Sequence, residues 1–138
     1  MTLNNKSSPV ILWAVIVSAA SFLVTLPHVF EDFAYGVPQK FGLSILTAGF
    51  LVAIGYFVHL IGILLTLNGK QAGLAIQLLI GLGWTAGAIL DHLPEVLRAG
   101  PYRQGTISRV IVLLIIQVGL IMVVLSAVAI KQLRRKNG

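Results

Sequence analysis

Apolar residues occur in four long runs, at residues 10–30, 43–67, 72–90 and 110–130. None of these runs contains an aspartate, glutamate, lysine or arginine. A helix needs roughly 20 consecutive apolar residues to cross the hydrocarbon core of a bilayer. Charged residues, glycine and proline bound the runs, and Asn68-Gly69-Lys70 is typical of a tight turn between the second and the third. The pattern predicts an all-α protein, a four-helix transmembrane bundle in one integral membrane domain over residues 1–138.

Composition supports a membrane protein over a soluble one. Hydrophobic residues make up 57% of the chain and charged residues only 10%, with a mean hydropathy of +0.96. A soluble domain carries about 25% charged residues. The net charge of +6 comes from bases that flank the apolar runs, which indicates contact with anionic lipid head groups and no nucleic-acid partner. The absence of cysteine excludes disulfides, iron–sulfur clusters and thiolate metal sites.

Lysine and arginine near the span ends predict the orientation, because they are enriched on the cytoplasmic side. Cytoplasmic termini leave four bases outside, namely Lys40, Arg98, Arg103 and Arg109. The other six of the ten then lie inside: Lys6, Lys70, Lys131, Arg134, Arg135 and Lys136. We therefore expect a protein of the plasma (inner) membrane with both termini in the cytoplasm. Lys6 and Ser18-Ala19-Ala20 also fit a cleaved signal peptide loosely, but the first apolar run continues to Phe30.

The two outer connections resemble each other. Each has a His-x-x-Glu motif followed by a glycine, a proline, a basic residue and another glycine. The matched positions are His28, Glu31, Gly36, Pro38, Lys40 and Gly42 in the first, and His92, Glu95, Gly100, Pro101, Arg103 and Gly105 in the second. This predicts two tandem-duplicated helical hairpins in parallel repeat, related by an axis along the membrane normal.

The acidic residues point to the candidate site. All four of them, and two of the three histidines, fall in the outer connections. Residues three apart share a helix face, so each His-x-x-Glu motif presents an imidazole beside a carboxylate. Such ligands, without sulfur, suit iron, manganese or zinc. The predicted metal-ligating set is His28, Glu31, Asp32, Asp91, His92 and Glu95.

Other interpretations of the same layer stay open. Asp91 is placed to cap a short helix with Pro94 in its first turn. Four acids and four bases also suit a structural salt-bridge network without metal. Lys40, Arg98 and Arg103 suit an anionic ligand or lipid head group. Haem between two axial histidines is a further alternative, which the surrounding carboxylates disfavour.

Polar residues also occur within the spans. His59 and Tyr56 lie in the second run, too far along it for His59 to join the outer site. We expect His59 to hydrogen-bond across helices to Thr66, Gln77, Gln117 or Ser126. Glycines in the second and third runs, including Gly83 and Gly87, indicate close helix packing within the chain.

Three functional classes follow. The first is a membrane protein with a His/carboxylate site at its outer face that binds a metal or cofactor, catalytic or not. The second is a non-catalytic accessory subunit of a larger membrane complex, and the third is a small transporter that works as a homo-oligomer. No carboxylate lies inside an apolar run, which disfavours a proton- or cation-coupled transporter.

Overall fold

The computed structural model of the chain describes residues 8–102 and 104–137. Four long helices run through this part of the chain: α1 (Pro9–Ala34), α3 (Ile45–Leu67), α4 (Gln71–Gly87) and α6 (Thr106–Asn137). Two single-turn helices, α2 (Val37–Lys40) and α5 (Leu93–Val96), lie in the connections, and one π-helical turn (Ala88–His92) joins α4 to α5. The described residues contain no strand. The all-α four-helix transmembrane architecture is confirmed.

Three of the four spans are longer than the apolar runs, and the second, Ile45–Leu67, is slightly shorter. The segments apolar and long enough to cross a bilayer are Pro9–Ala34, Ile45–Leu67, Gln71–Val96 and Thr106–Arg135. The first and third therefore extend through the two polar motifs, which sequence analysis placed in connections. Asp32 and Asp91 then lie beside the two histidines at the end of the bundle.

The interior of the bundle mixes polar and apolar side chains, whereas the exterior of the spans is mainly apolar. Helix α6 packs against α1 and α4, whereas α3 lies chiefly against α4. Buried side chains include many hydroxyl and amide groups, as expected where lipid replaces water outside: Ser18, Ser21, Thr25, Thr66, Gln77, Thr85, Ser108 and Ser126. Only 22–33% of each span is buried, so most of its apolar surface faces outward, where a bilayer would cover it.

Close helix contacts use one of the glycines expected, Gly62 on α3, together with Gly73, Gly81 and Gly119. A Cβ on Gly81 would lie 2.9 Å from the Gly119 carbonyl oxygen, so α4 and α6 cross at backbone distance. A Cβ on Gly73 would collide with the backbone of α3 near Thr66. At Gly83 and Gly87 a Cβ would meet nothing within 4 Å, so the prediction that they pack helices together within the chain is wrong.

The π-helical turn has a local cause in Pro94. Proline lacks the backbone N–H that would bond to residue 90, and its ring collides with that carbonyl. The turn before it is wider, and the Leu93 N–H donates to the Ala88 carbonyl five residues back. Pro94 then occupies the first turn of α5, as predicted, but Asp91 does not cap that helix, because His92 holds the N-cap position. The wider turn places Ala88, His92 and Val96 in the interior.

Candidate metal centre

His28 and His92 meet at the end of the bundle where α1 and α4 finish, called here the histidine end. The two Nε2 atoms lie 3.3 Å apart, and the rings meet edge to face with centroids 4.6 Å apart. Both side chains are buried, with 4% and 3% of their surface exposed. Two imidazoles 64 positions apart in the chain thus occupy the same depth in the bundle.

Two aspartates complete the inner part of the cluster. Asp32 lies one turn after His28 on α1, and its Oδ2 is 3.4 Å from Nε2 of both His28 and His92. Asp91 Oδ2 lies 3.2 Å from His92 Nε2. His28, Asp32 and His92 therefore each bring one potential ligand atom to within 4.8 Å of the others, a group that could hold a metal ion.

A second layer of side chains holds these groups in place. The Tyr102 hydroxyl and His92 Nδ1 are joined by a hydrogen bond of 2.9 Å. Gln104 Nε2 donates to Asp32 Oδ1 at 3.1 Å, and the Ser108 hydroxyl donates to Gln104 Oε1 at 3.0 Å. Tyr102 and Gln104 come from the connection before α6, and Ser108 from its first turn, so this connection closes over the cluster.

Tyr102 keeps its hydroxyl proton. Burial, followed by the nearby carboxylates of Glu95, Asp32, Asp91 and Glu31, raises the pKa of Tyr102 to about 12. The phenol is therefore protonated at neutral pH, and its oxygen can either donate to His92 Nδ1 or accept from it.

The remaining predicted ligands take peripheral places. Glu31 Oε2 is 3.9 Å from His28 Nδ1, the nitrogen that faces away from His92. Glu95 belongs to α5 and stands outside the group formed by His28, Asp32 and His92. The matched His-x-x-Glu spacing identified both histidines, but the shared carboxylate is Asp32, at a spacing of four.

Two of the basic residues predicted to hold an anion, Lys40 and Arg98, are not among the residues of this cluster. Lys40 ends α2 and is exposed, as is Arg98. The carbonyl oxygen of Arg98 accepts a hydrogen bond from Arg109 at 3.3 Å. Arg103 lies outside the described residues.

A cavity of about 180 Å³ adjoins the cluster. His28, Asp32, Asp91 and His92 form its polar wall. The rest of the wall is largely apolar and includes Val37, Phe41, Trp84 and Ile115. Any ion held by the three ligands would thus face a space large enough for water or a small ligand.

The intramembrane histidine has a different partner from those predicted. His59 Nε2 forms a hydrogen bond of 2.6 Å with the Ser18 hydroxyl on α1. Thr66 and Gln77, two of the expected partners, bond to each other at 2.8 Å. Tyr56 donates to Thr25 Oγ1 at 3.0 Å. As predicted, His59 lies outside the outer histidine cluster.

Sequence analysis missed Tyr102, Gln104 and Ser108. They form no motif with the histidines, and tyrosine, glutamine and serine have no preferred spacing from a ligand. The available signal was their position, since all three follow the second His-x-x-Glu motif directly before the last apolar run.

Comparison with known protein families, curated proteins and solved structures found no match for this chain.

Proposed function

We propose that this membrane protein binds one divalent transition-metal ion through His28, Asp32 and His92, and that the ion keeps a coordination position open toward the adjoining cavity. Zinc is the first candidate among zinc, iron and manganese. The observation that carries the proposal is the triangle formed by the two Nε2 atoms and Asp32 Oδ2, with sides of 3.3, 3.4 and 3.4 Å.

The size of the triangle fits a metal ion. Ligands about 2.1 Å from a tetrahedral ion stand about 3.4 Å apart, whereas right angles at an octahedral ion give about 3.0 Å. An ion at that distance from all three atoms would lie within about 1 Å of their plane. Tetrahedral geometry favours zinc, whereas a two-histidine, one-carboxylate set with open positions also suits ferrous iron.

The surrounding hydrogen bonds fit the same ion. Histidine ligands usually donate their second ring N–H to a neighbouring group, and ligating carboxylates are themselves hydrogen-bonded. Tyr102 stands at His92 Nδ1, and Gln104 donates to the second oxygen of Asp32. When the metal takes Nε2 of His92, Nδ1 carries the proton and donates to the Tyr102 oxygen.

Two buried polar atoms without hydrogen-bond partners also support a bound metal ion. His28 Nδ1 and Glu31 Oε2 are both buried without a hydrogen-bond partner among the described residues, and they lie 3.9 Å apart. Buried polar groups without partners are costly. A metal on His28 Nε2 would place the proton on Nδ1, and a small rotation would then let Nδ1 donate to Glu31.

Three protein ligands and an open position are the pattern of catalytic rather than structural zinc. The ion would act as a Lewis acid or supply a metal-bound water toward the cavity, with Asp91 in the cavity wall to receive a proton. The largely apolar wall favours a small, mainly apolar ligand.

Metal content of the purified protein tests the proposal. We expect about one zinc per chain by elemental analysis after purification in detergent without chelator. His28→Ala/His92→Ala should reduce the metal to background, whereas His59→Gln, at the buried histidine outside the cluster, should retain it. Background metal in the parent protein after addition of zinc, iron or manganese would show that the cluster is only a hydrogen-bonded network.

A further inference from the structure

A second cavity lies between α3 and α4, along the spans and away from the histidine pair. It measures about 270 Å³, and its walls include Val52, Tyr56, His59, Leu79, Ile80 and Trp84. Leu79 is 65% exposed, so the cavity opens at the surface that a bilayer would cover. Trp84 lies in the wall of this cavity and also in that of the cavity beside the histidine end.

The packing between α3 and α4 is tight near the turn that joins them and open at the cavity. Next to the turn between them, a Cβ on Gly62 would lie 2.7 Å from Ile76 Cγ2, and Gly73 admits no side chain. Farther along, Gly55 on α3 and Gly83 on α4 line the cavity, and a Cβ at either would meet nothing within 4 Å. Small residues at this point leave a slot where side chains would otherwise fill the space.

His59 brings an unsatisfied polar atom to this slot. Its side chain is 1% exposed, and its Nδ1 is buried without a hydrogen-bond partner among the described residues. A neutral imidazole has one donor and one acceptor nitrogen. When the Ser18 hydroxyl donates to Nε2, Nδ1 carries the proton and needs an acceptor. The opposite tautomer is worse, because it leaves both Nδ1 and the Ser18 hydroxyl proton without a partner.

Tyr56 and Trp84 contribute aromatic rings to the wall of the slot, and Phe22 lies behind His59. The Tyr56 and Trp84 rings lie with centroids 5.7 Å apart, and the His59 ring stacks on Phe22 at 4.7 Å. Flat aromatic surfaces favour a flat ring in the ligand. Pockets for drug-sized ligands begin at about 300 Å³, so this one suits a small ring whose apolar tail stays in the lipid.

We propose that this cavity binds the head group of a lipid-soluble quinone, with a ring carbonyl oxygen accepting a hydrogen bond from His59. A quinone combines the three properties that the cavity selects: a flat ring, a carbonyl acceptor and an apolar tail. The proposal does not rest on metal at the histidine end.

Tryptophan fluorescence tests the quinone proposal, because the chain has two tryptophans and only Trp84 lines the cavity. Trp13→Phe leaves Trp84 as the reporter, and Trp84→Phe leaves Trp13, which is 56% exposed on α1. Each variant is titrated with decylubiquinone in lipid nanodiscs. In Trp13→Phe, the quenching of Trp84 fluorescence should be saturable. Trp13 should show only the linear quenching of a quinone dissolved in lipid.

Two substitutions in the Trp13→Phe background locate the site. His59→Leu should weaken the apparent affinity about tenfold by removing the donor. Gly83→Leu should abolish saturation by filling the slot, whereas Ala86→Leu, at an exposed position on the same helix, should bind as the parent does. Unchanged helical content by circular dichroism and unchanged metal content would show that the fold and the histidine end are intact.

Three results would overturn the proposal. The first is linear quenching of Trp84 equal to that of Trp13. The second is saturable quenching that both His59→Leu and Gly83→Leu leave intact. The third is saturable binding of oleic acid or cholesterol, seen as a change in Trp84 fluorescence, together with no saturable quenching of Trp84 by decylubiquinone.

Discussion

Asp32 shows how one carboxylate can take the place that a sequence motif assigns to its neighbour. The repeated His-x-x-Glu pattern favoured Glu31, three residues after His28, as the ligand. Residues three and four apart both share a helix face, so spacing alone does not choose between Glu31 and Asp32. The choice depends on His92, which belongs to another helix, and Asp32 is the carboxylate that reaches both rings.

Asp32→Asn should therefore weaken zinc binding at least 100-fold, because it removes the only negative charge in the ligand triangle. Glu31→Gln, one position away, should cost about tenfold or less, because Glu31 stands at the outer nitrogen of His28. Competition with a fluorescent zinc chelator measures both affinities in detergent. Equal effects of the two substitutions would remove Asp32 as a ligand.

Tyr102→Phe tests the layer behind the ligands. Loss of a hydrogen-bond partner of a metal-ligating histidine typically costs 10–100-fold in metal affinity, and we expect a decrease in that range. Tyr35, which is 52% exposed, offers the matched control, and Tyr35→Phe should leave the affinity unchanged. An unaltered affinity in Tyr102→Phe would mean that Tyr102 packs against His92 without orienting it.

At the scale of single elements, the π-helical turn connects a proline in the sequence to the position of His92, one of the proposed ligands. Pro94 was recognised as a first-turn residue of a short helix, but the wider turn before it was not predicted. A proline in a helical pattern can end the helix, kink it or widen a turn, and packing against neighbouring helices decides which. Here Ala88, Val96 and Tyr102 form a buried cluster with Val112 and Ile115 of α6, which keeps the chain on the bundle.

Pro94→Ala should restore the missing N–H and let the helix return to regular α-helical bonding. His92 would then turn by roughly 100° about the helix axis, the angle per residue of an α-helix. We expect zinc affinity to fall at least tenfold while the thermal stability of the metal-free protein is unchanged or higher. Full zinc affinity in this variant would show that Pro94 does not set the position of His92.

At the scale of the whole molecule, the sequence supported two predictions well. Four apolar runs predicted four spans, and the clustering of acids and histidines identified the end of the bundle where His28 and His92 meet. Helix boundaries were less accurate, because the partners that let α1 continue to Ala34 are distant in sequence. Tyr102, Gln104 and Ser108 were missed for the same reason.

The tandem duplication stays a prediction. The glycines at four of its matched positions, Gly36, Gly42, Gly100 and Gly105, all have positive φ, which other residues rarely adopt. The two hairpins nevertheless pack differently. Helix α4 packs closely on α6, whereas α1 touches α3 only lightly. The hydrophobic periodicity of the sequence did not predict this difference between the two hairpins.

Orientation in the membrane also remains a proposal, and the absence of cysteine makes it testable. Two exposed positions suit cysteine substitution: Pro101, next to the histidine end, and Lys70, in the turn at the opposite end. With the termini in the cytoplasm, an impermeant maleimide should label Pro101→Cys in intact cells, and Lys70→Cys only after the membrane is opened. The opposite labelling pattern would place the histidine end in the cytoplasm.

The account depends most on an ion bound among His28, Asp32 and His92. X-ray absorption at the zinc edge of the purified protein tests this most directly. The account predicts nitrogen and oxygen ligands at about 2.0–2.2 Å from the zinc, together with outer-shell scattering from two imidazoles. That imidazole scattering should disappear in His28→Ala/His92→Ala. A zinc shell without imidazole scattering, or protein that binds no zinc, iron or manganese even when each is supplied, would contradict it.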